Sequence, residues 1–238
     1  PLPTSPSSLP MATIDRPAPT PALAIRRIES EPFAEHSYVV SAPGGNECVV
    51  VDPGFEPDAI VETIRRERLR PRAILLTHGH SDHIAGVASL RSEWPDLPIL
   101  VGRGDAPKLV DPMGNLSGVF GLPITSPPAD RLLDDGERVA AAGLEFLVRS
   151  IPGHSSGHVV FLVDGVEPPV VFGGDVLFHE GIGRTDFPDG DFSALAAGIV
   201  RHLYSLPDAT VVFPGHGPET TVGHERRHNP FVPCRRGD

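Results

Sequence analysis

Four side chains able to bind a metal fall within six residues of the 238-residue chain, in His78-x-His80-x-Asp82-His83. The run follows the apolar stretch 73–76, read as a buried strand, so these side chains leave a rigid strand end. His78 and His80 alternate by two, which sets both imidazoles on one side of an extended backbone. Asp82 and His83 open a helix, point elsewhere, and can serve a second centre. Imidazole and carboxylate donors suit zinc, iron or manganese. One His-x-His alone reads as a satisfied polar loop, but three histidines and an aspartate this close do not. Three further segments repeat the arrangement: Pro152-Gly153-His154, Gly173-Gly174-Asp175 and Pro214-Gly215-His216-Gly217. Each sets a candidate ligand just past an apolar run, beside a glycine that lets the backbone turn tightly.

The elements that must position these groups follow from pattern. Strands are expected over 23–28, 37–42 and 48–52, with turn residues at 43–46. A helix starts near Pro57, with Ile60, Val61 and Ile64 as its apolar stripe, and Pro71 closes it. Strand 73–76 then leads into the histidine run, a helix over about 82–90, and a strand at 98–101. Residues 103–129 are broken by glycine and proline and give no clear element. Hairpins are expected from 139–140 with 144–151, and from 159–164 with 170–172. A helical stripe at 192, 195, 199 and 203 has Asp191 as its candidate N-cap, and a last strand covers 210–213. Strands in runs with intervening helices fit two sheets covered on their outer faces better than one parallel sheet. The Pro/Ser/Thr/Ala-rich stretch 1–22 lacks a secretory pattern and is expected to be a disordered tail. Residues 23–238 are expected to form one domain.

The ordered set THGHSDH, PGHSSGH, GGD and PGHG resembles the metallo-β-lactamase superfamily. Gly174 to Phe178, Gly183-Arg184-Thr185-Asp186-Phe187-Pro188, and the tail Pro214 to Gly223 with Glu225-Arg226 and Asn229-Pro230-Phe231 are similar to its glyoxalase II branch, short bacterial type. The resemblance covers about residues 24–231. It implies an α/β fold, an αββα sandwich of two mixed sheets with helices on both outer faces. It further implies that His78, His80 and His154 hold one divalent metal, that Asp82, His83 and His216 hold another, and that Asp175 bridges them. Zinc is the first expectation, with iron or manganese also fitting.

Two such ions about 3.5–4 Å apart can share a water and lower its pKa from about 15.7 toward about 7. The implied activity is hydrolysis of a 2-hydroxyacyl glutathione thioester, such as S-lactoylglutathione, by a metal-bridged hydroxide. Asp82 would orient the hydroxide and Asp175 would fix the ion pair, so both count as catalytic. Long members of the branch carry a C-terminal helical domain with basic residues for the glutathione carboxylates. This chain ends seven residues after Phe231, and its one lysine, Lys108, is expected to lie far from the site. Arg184 is therefore the candidate substrate-binding residue, with an Arg184–Asp186 ion pair as its structural reading. The rival within the fold is a persulfide dioxygenase using one iron. A non-catalytic thiol binder is the rival from another class, and the complete ligand set argues against it.

The resemblance implies a small-molecule thioester, such as a glutathione conjugate, as the partner, and composition argues against other classes. The net charge of −11 argues against a nucleic-acid partner. No apolar run approaches the roughly 20 residues of a spanning helix, so a cytoplasmic protein without a membrane partner is expected. A β-lactamase is disfavoured because no lysine is expected near the site. Cys48, in an apolar run, is read as a buried small hydrophobe. His158 is read as packing or support, and His36 and His179 as lying outside substrate contact. His202, His224 and His228 are read as surface residues, and Phe178, Phe187 and Phe192 as core. The pattern leaves the oligomeric state open.

Overall fold

The computed structural model describes residues 23–233. The expected tail over 1–22 lies outside them, as does Cys234. Six strands form the first sheet in sequence order: β1 (Ala24–Ser30), β2 (Glu35–Ser41), β3 (Glu47–Val51), β4 (Arg70–Leu76), β5 (Ile99–Gly102) and β6 (Arg131–Leu133). The first three pair antiparallel and the last three join in parallel. The second sheet contains β7 (Arg138–Ala141), β8 (Leu144–Ser150), β9 (Val159–Val163), β10 (Val170–Gly174), β13 (Val211–Pro214) and β14 (Thr220–Thr221), ordered 14-13-10-9-8-7. Only β10 and β13 run parallel in it. A separate hairpin joins β11 (Leu177–Phe178) to β12 (Gly181–Ile182).

Alternation along the strands explains the layers. In the first sheet Tyr38, Val40, Val49, Val51 and Leu75 face inward and meet Phe146, Phe161, Phe172 and Phe213 of the second. Their neighbours Val39, Val50, Ile74 and Leu76 face outward under α1 (Pro57–Arg66), α2 (Ser81–Ile84) and α3 (Val87–Glu93). In the second sheet Val160, Leu162, Val171 and Val212 take Leu195, Ile199 and Leu203 of α4 (Phe192–Gly198) and the π-helical turn Ile199–Leu203. Val222, the first residue of α5 (Val222–His228), closes that layer. Both faces of each sheet are thus buried, which is why runs such as Cys48–Val51 are continuously apolar. The expected αββα sandwich is the fold.

Three expectations need correction. The helix over 82–90 is two helices, α2 and α3, because Gly86 presses on the backbone of Pro53 and Gly54 and its N–H donates to Pro53 O at 2.8 Å. Phe192 is 47% exposed rather than core, since it stands at the start of α4 before the buried stripe begins. Strands β6, β11, β12 and β14 were not anticipated, being only two or three residues long. Among the described residues no helix is long and apolar enough to cross a membrane.

Candidate metal centre

The four strand ends converge on one edge of the sandwich. Beyond β4 come His78, His80, Asp82 and His83; beyond β8, His154; at the end of β10, Asp175; beyond β13, His216. The seven expected donors come together as overlapping groups: His78, His80 and His154; His78, His83 and Asp175; and Asp82, His83 and His216. His80 Nδ1 lies 3.0 Å from both His78 Nε2 and His154 Nε2. A single N–H cannot point both ways, so this triangle is read as three lone pairs around one point. Tetrahedral zinc with Zn–N near 2.0–2.1 Å sets its donors roughly 3.3 Å apart.

Asp175 stands between the two histidine groups. Its Oδ2 is 3.4 Å from His154 Nε2 and 3.5 Å from His216 Nε2, while its Oδ1 is 3.4 Å from His83 Nε2. Asp82 Oδ2 lies 3.4 Å from His216 Nε2 and 3.8 Å from His83 Nε2. The buried atoms His83 Nε2 and Asp175 Oδ1 have no hydrogen-bond partner among the described residues. Buried polar atoms left without partners cost free energy. Donors of this type, aimed at one another, fit divalent ions.

The outer nitrogens of four imidazoles are fixed, which turns their Nε2 lone pairs inward. His78 Nδ1 donates to Thr77 Oγ1 at 3.0 Å, and Thr77 Oγ1 donates onward to Asp52 Oδ2 at 2.6 Å. His83 Nδ1 donates to Asp52 Oδ2 at 3.1 Å, His154 Nδ1 to Arg184 O at 2.9 Å, and His216 Nδ1 to Phe33 O at 3.1 Å. His158 stacks on His78 at 4.6 Å and its Nε2 accepts from the Asp175 N–H at 3.1 Å, so it supports the cluster as expected. Sequence reading missed Asp52, which lies just past β3 with a φ of 46°, a left-handed backbone that aspartate tolerates better than most residues. It also missed Glu35, fully buried with Oε1 3.9 Å from His83 Nδ1. The apolar run ending in Asp52 was the one available signal for the former.

Charge follows this packing. Burial, reinforced by neighbouring imidazoles, holds His78 well below the usual histidine range and His80 at about 3. For His83 burial acts the same way, but Asp82 and Asp175 outweigh it and raise the group well above its ordinary value. Burial would raise Asp175 and Asp82, yet His83 and its neighbours pull both below the usual carboxylate range. Burial pushes the Glu35 carboxyl well above its ordinary value. Two glycines are demanded by the crowding. A Cβ on Gly215 would strike Asp175 Oδ1 and stand 2.6 Å from His83 Cε1; one on Gly174, at φ 47°, would strike Thr77 Oγ1.

Five of the donors, His80, Asp82, His154, Asp175 and His216, floor a cleft of about 390 Å³ walled by Phe33, Phe120, Phe178, Ile182 and Phe187. Phe178 and Phe187 are therefore pocket residues, not core. Phe187 meets His80 edge-on at 5.3 Å and Phe178 meets His216 at 6.2 Å. Arg184 also lines the cleft, with its guanidinium 4.2 Å over the Phe187 ring and 2.7 Å from Asp186 Oδ1. Lys108 is not far away as expected. The turn Ala106–Val110 folds against the metal loop, so a Cβ on Gly79 would meet Lys108 Cβ at 2.8 Å. Its ammonium is turned from the cleft and engaged at 2.6 Å by Asp189 and 3.2 Å by Asp105. A larger, more open groove of about 930 Å³, near Trp94 and Glu145, lies at the opposite strand ends and holds none of these groups.

His36 is buried beside Glu29, outside the cleft. His179 also lies outside it, stacked on His224 at 4.8 Å. Cys48 is fully buried, and burial pushes its thiol up to about 12.

A sequence profile of the metallo-β-lactamase superfamily matches residues 30–216. The probable metallo-hydrolase YqgX of Bacillus subtilis is 39% identical over 210 residues, covering 87% of this chain and 96% of its own length. The hydroxyacylglutathione hydrolase GloC of Haemophilus influenzae is 37% identical over 188 residues, covering 78% and 87%. Among solved structures, the B3 metallo-β-lactamase BLEG-1 superposes with a TM-score of 0.83 at 39% identity, over 88% of this chain and 99% of its own. TTHA1623, in a di-iron-bound form, superposes with a TM-score of 0.76 at 40% identity, over 87% and 99%.

Proposed function

The chain belongs to the metallo-β-lactamase superfamily, among its metal-dependent hydrolases, and from that premise we propose that it cleaves a thioester, with 2-hydroxyacyl glutathiones such as S-lactoylglutathione as its substrate class. One observation carries the reading: seven donors suited to two ions come together, two of them with buried atoms lacking partners, and five of the seven line a cleft sized for a small molecule. His78, His80 and His154 would hold one ion, Asp82, His83 and His216 the other, and Asp175 would reach both. When bound, a pair of divalent ions activates water near neutral pH and polarises the acyl carbonyl. Zinc, iron and manganese all suit this donor set, and the relative TTHA1623 carries iron.

The chain's own groups supply the rest. Asp52, Thr77 and two backbone carbonyls hold four imidazoles in the inward-facing tautomer. Asp82, which lines the cleft, would orient the attacking water and accept its hydrogen bond. Phe178 and Phe187 keep bulk water from the reacting carbonyl. Arg184, the one arginine or lysine lining the cleft among the described residues, offers a guanidinium to a glutathione carboxylate. Cys48 is excluded as a nucleophile by its burial and raised thiol pKa. The kinship with GloC favours the hydroxyacyl glutathione assignment. A small molecule is thus the partner, and the charge of −11 disfavours nucleic acid.

Metal analysis of purified protein together with turnover of S-lactoylglutathione tests the reading. Two ions per chain with thioester cleavage are expected. One iron with persulfide-dependent oxygen uptake would replace it with the dioxygenase. Two ions with β-lactam cleavage and no thioester turnover would overturn the substrate class.

A further inference from the structure

A second cluster of metal-type donors lies outside the cleft, at the tip of the β11–β12 hairpin. His179 and Glu180 form the tip of that hairpin, and His224 faces them from the first turn of α5. One ligand atom from each of the three lies within 4.8 Å of the others. His224 Nε2 already stands 3.2 Å from Glu180 Oε1, the separation of two donors on one ion. The His179 and His224 rings stack at 4.8 Å with 20° between their planes. His228 follows His224 by four residues, on the same helix face, and its ring lies 4.7 Å away. Two histidines at that spacing are a helical chelating pair. The four side chains come from a hairpin and a helix adjacent in space but about 45 residues apart in sequence.

The tip is held in place before any ion arrives. The Glu180 N–H donates to Glu225 Oε2 at 3.0 Å, and Glu225 is fully buried. Thr220 Oγ1 and Asn229 Nδ2 donate to the same carboxylate, at 2.5 and 2.9 Å, and Asn229 Nδ2 also donates to Gly181 O at 3.0 Å. Glu180 adopts a φ of 53°, a conformation costly for glutamate that this network sustains. Preorganisation of this kind lowers the entropy a ligand must overcome.

We propose that His179, Glu180 and His224, with His228 as a fourth donor, form an accessory binding site for a borderline divalent cation such as Zn²⁺, Ni²⁺ or Cu²⁺. Imidazole-rich sites with one carboxylate select these ions over Mg²⁺ or Ca²⁺. The same hairpin carries Phe178 and Ile182, which line the cleft wall. An ion at the tip ties the hairpin to α5 and so stiffens that wall. The site is exposed and open to surplus metal, and it depends on no assumption about the reaction in the cleft.

Equilibrium dialysis of the metal-loaded protein against Zn²⁺, with metal counted per chain, tests the assignment. The wild type is expected to take up one equivalent more than the double variant His179→Ala/His224→Ala, which keeps the tightly held ions of the cleft. Glu180→Gln is expected to weaken the extra equivalent by more than the roughly tenfold that loss of a merely supporting carboxylate costs, because it exchanges a charged ligand for a weaker neutral one. Amide hydrogen exchange across 177–182 is expected to slow when the extra equivalent binds, in the wild type only. Equal uptake and unchanged exchange in wild type and double variant would overturn the proposal. So would extra uptake that Mg²⁺ displaces as readily as Ni²⁺.

Discussion

His83 donates its Nδ1–H to Oδ2 of Asp52 at 3.1 Å. The other nitrogen of the same ring faces Asp175 Oδ1 at 3.4 Å. Asp52 also receives the Thr77 N–H at 2.7 Å and, through Thr77 Oγ1, steadies His78. One buried carboxylate therefore orients a donor in each histidine group without touching the cleft.

Asp52→Asn is expected to weaken metal retention by about 10–100-fold, the usual cost of losing such a carboxylate partner. The amide can present its NH₂ to His83 Nδ1 and turn the ring to the wrong tautomer. Competition with a chelator, read as metal retained per chain, checks this. Wild-type retention in the variant would remove Asp52 from any positioning role.

Asp175→Ala is expected to lose both ions or leave at most one loosely held. Its two oxygens face His83 on one side and His154 and His216 on the other, so no single neighbour replaces it. Metal content after gel filtration reads the outcome. Two ions retained would contradict the bridging assignment.

Arg184→Ala is expected to raise KM for a glutathione thioester about tenfold, roughly 1.4 kcal/mol, with kcat and metal content unchanged. Asp186→Ala frees the guanidinium from its ion pair and is expected to leave KM equal or lower. A rise in KM for both variants would show that the pair is structural and that glutathione is held elsewhere.

Cys48 sets a pH dependence of stability with a defined sign. Its thiol titrates near 9.0 when unperturbed and is pushed up to about 12 by burial. Between these values the folded chain binds more protons than the unfolded one, so stability falls as pH rises through that window. Cys48→Ala is expected to flatten this alkaline decline, seen in urea unfolding from pH 8 to 11, while keeping turnover at neutral pH. A variant that is inactive with both ions in place would point to thiol chemistry instead.

The sandwich and the seven donors were legible because their signals are local. The continuously apolar runs Cys48–Val51 and Val159–Val163, and the histidine or aspartate just past four of the strands, sit within a few residues of one another. The break at Gly86 was not legible, because it comes from contact with Pro53 and Gly54 some thirty residues away. Phe178 and Phe187 misled for a similar reason. An aromatic residue carries the same signal in a core or at a cleft wall, and the two-residue strands β11 and β12 are too short to show a period. Lys108 was misplaced because the irregular 103–129 segment gave no direction until Asp105 tied it to the metal loop, through the Gly79 N–H at 2.8 Å.

The last prediction separates metal binding from proton handling. His83→Ala and His216→Ala each remove an imidazole donor from the group that includes Asp82, and both are expected to lose the second ion and nearly all turnover together. Asp82→Asn keeps an oxygen donor within reach of His216, so it is expected to retain more metal than either. It should still lose most activity, because an amide is a weaker donor and cannot take a proton from the attacking water. Measuring kcat beside bound metal in the three variants distinguishes the cases: activity that tracks metal content in all three would reduce Asp82 to a ligand alone, whereas an Asp82→Asn protein that holds two ions and turns over slowly assigns it the proton.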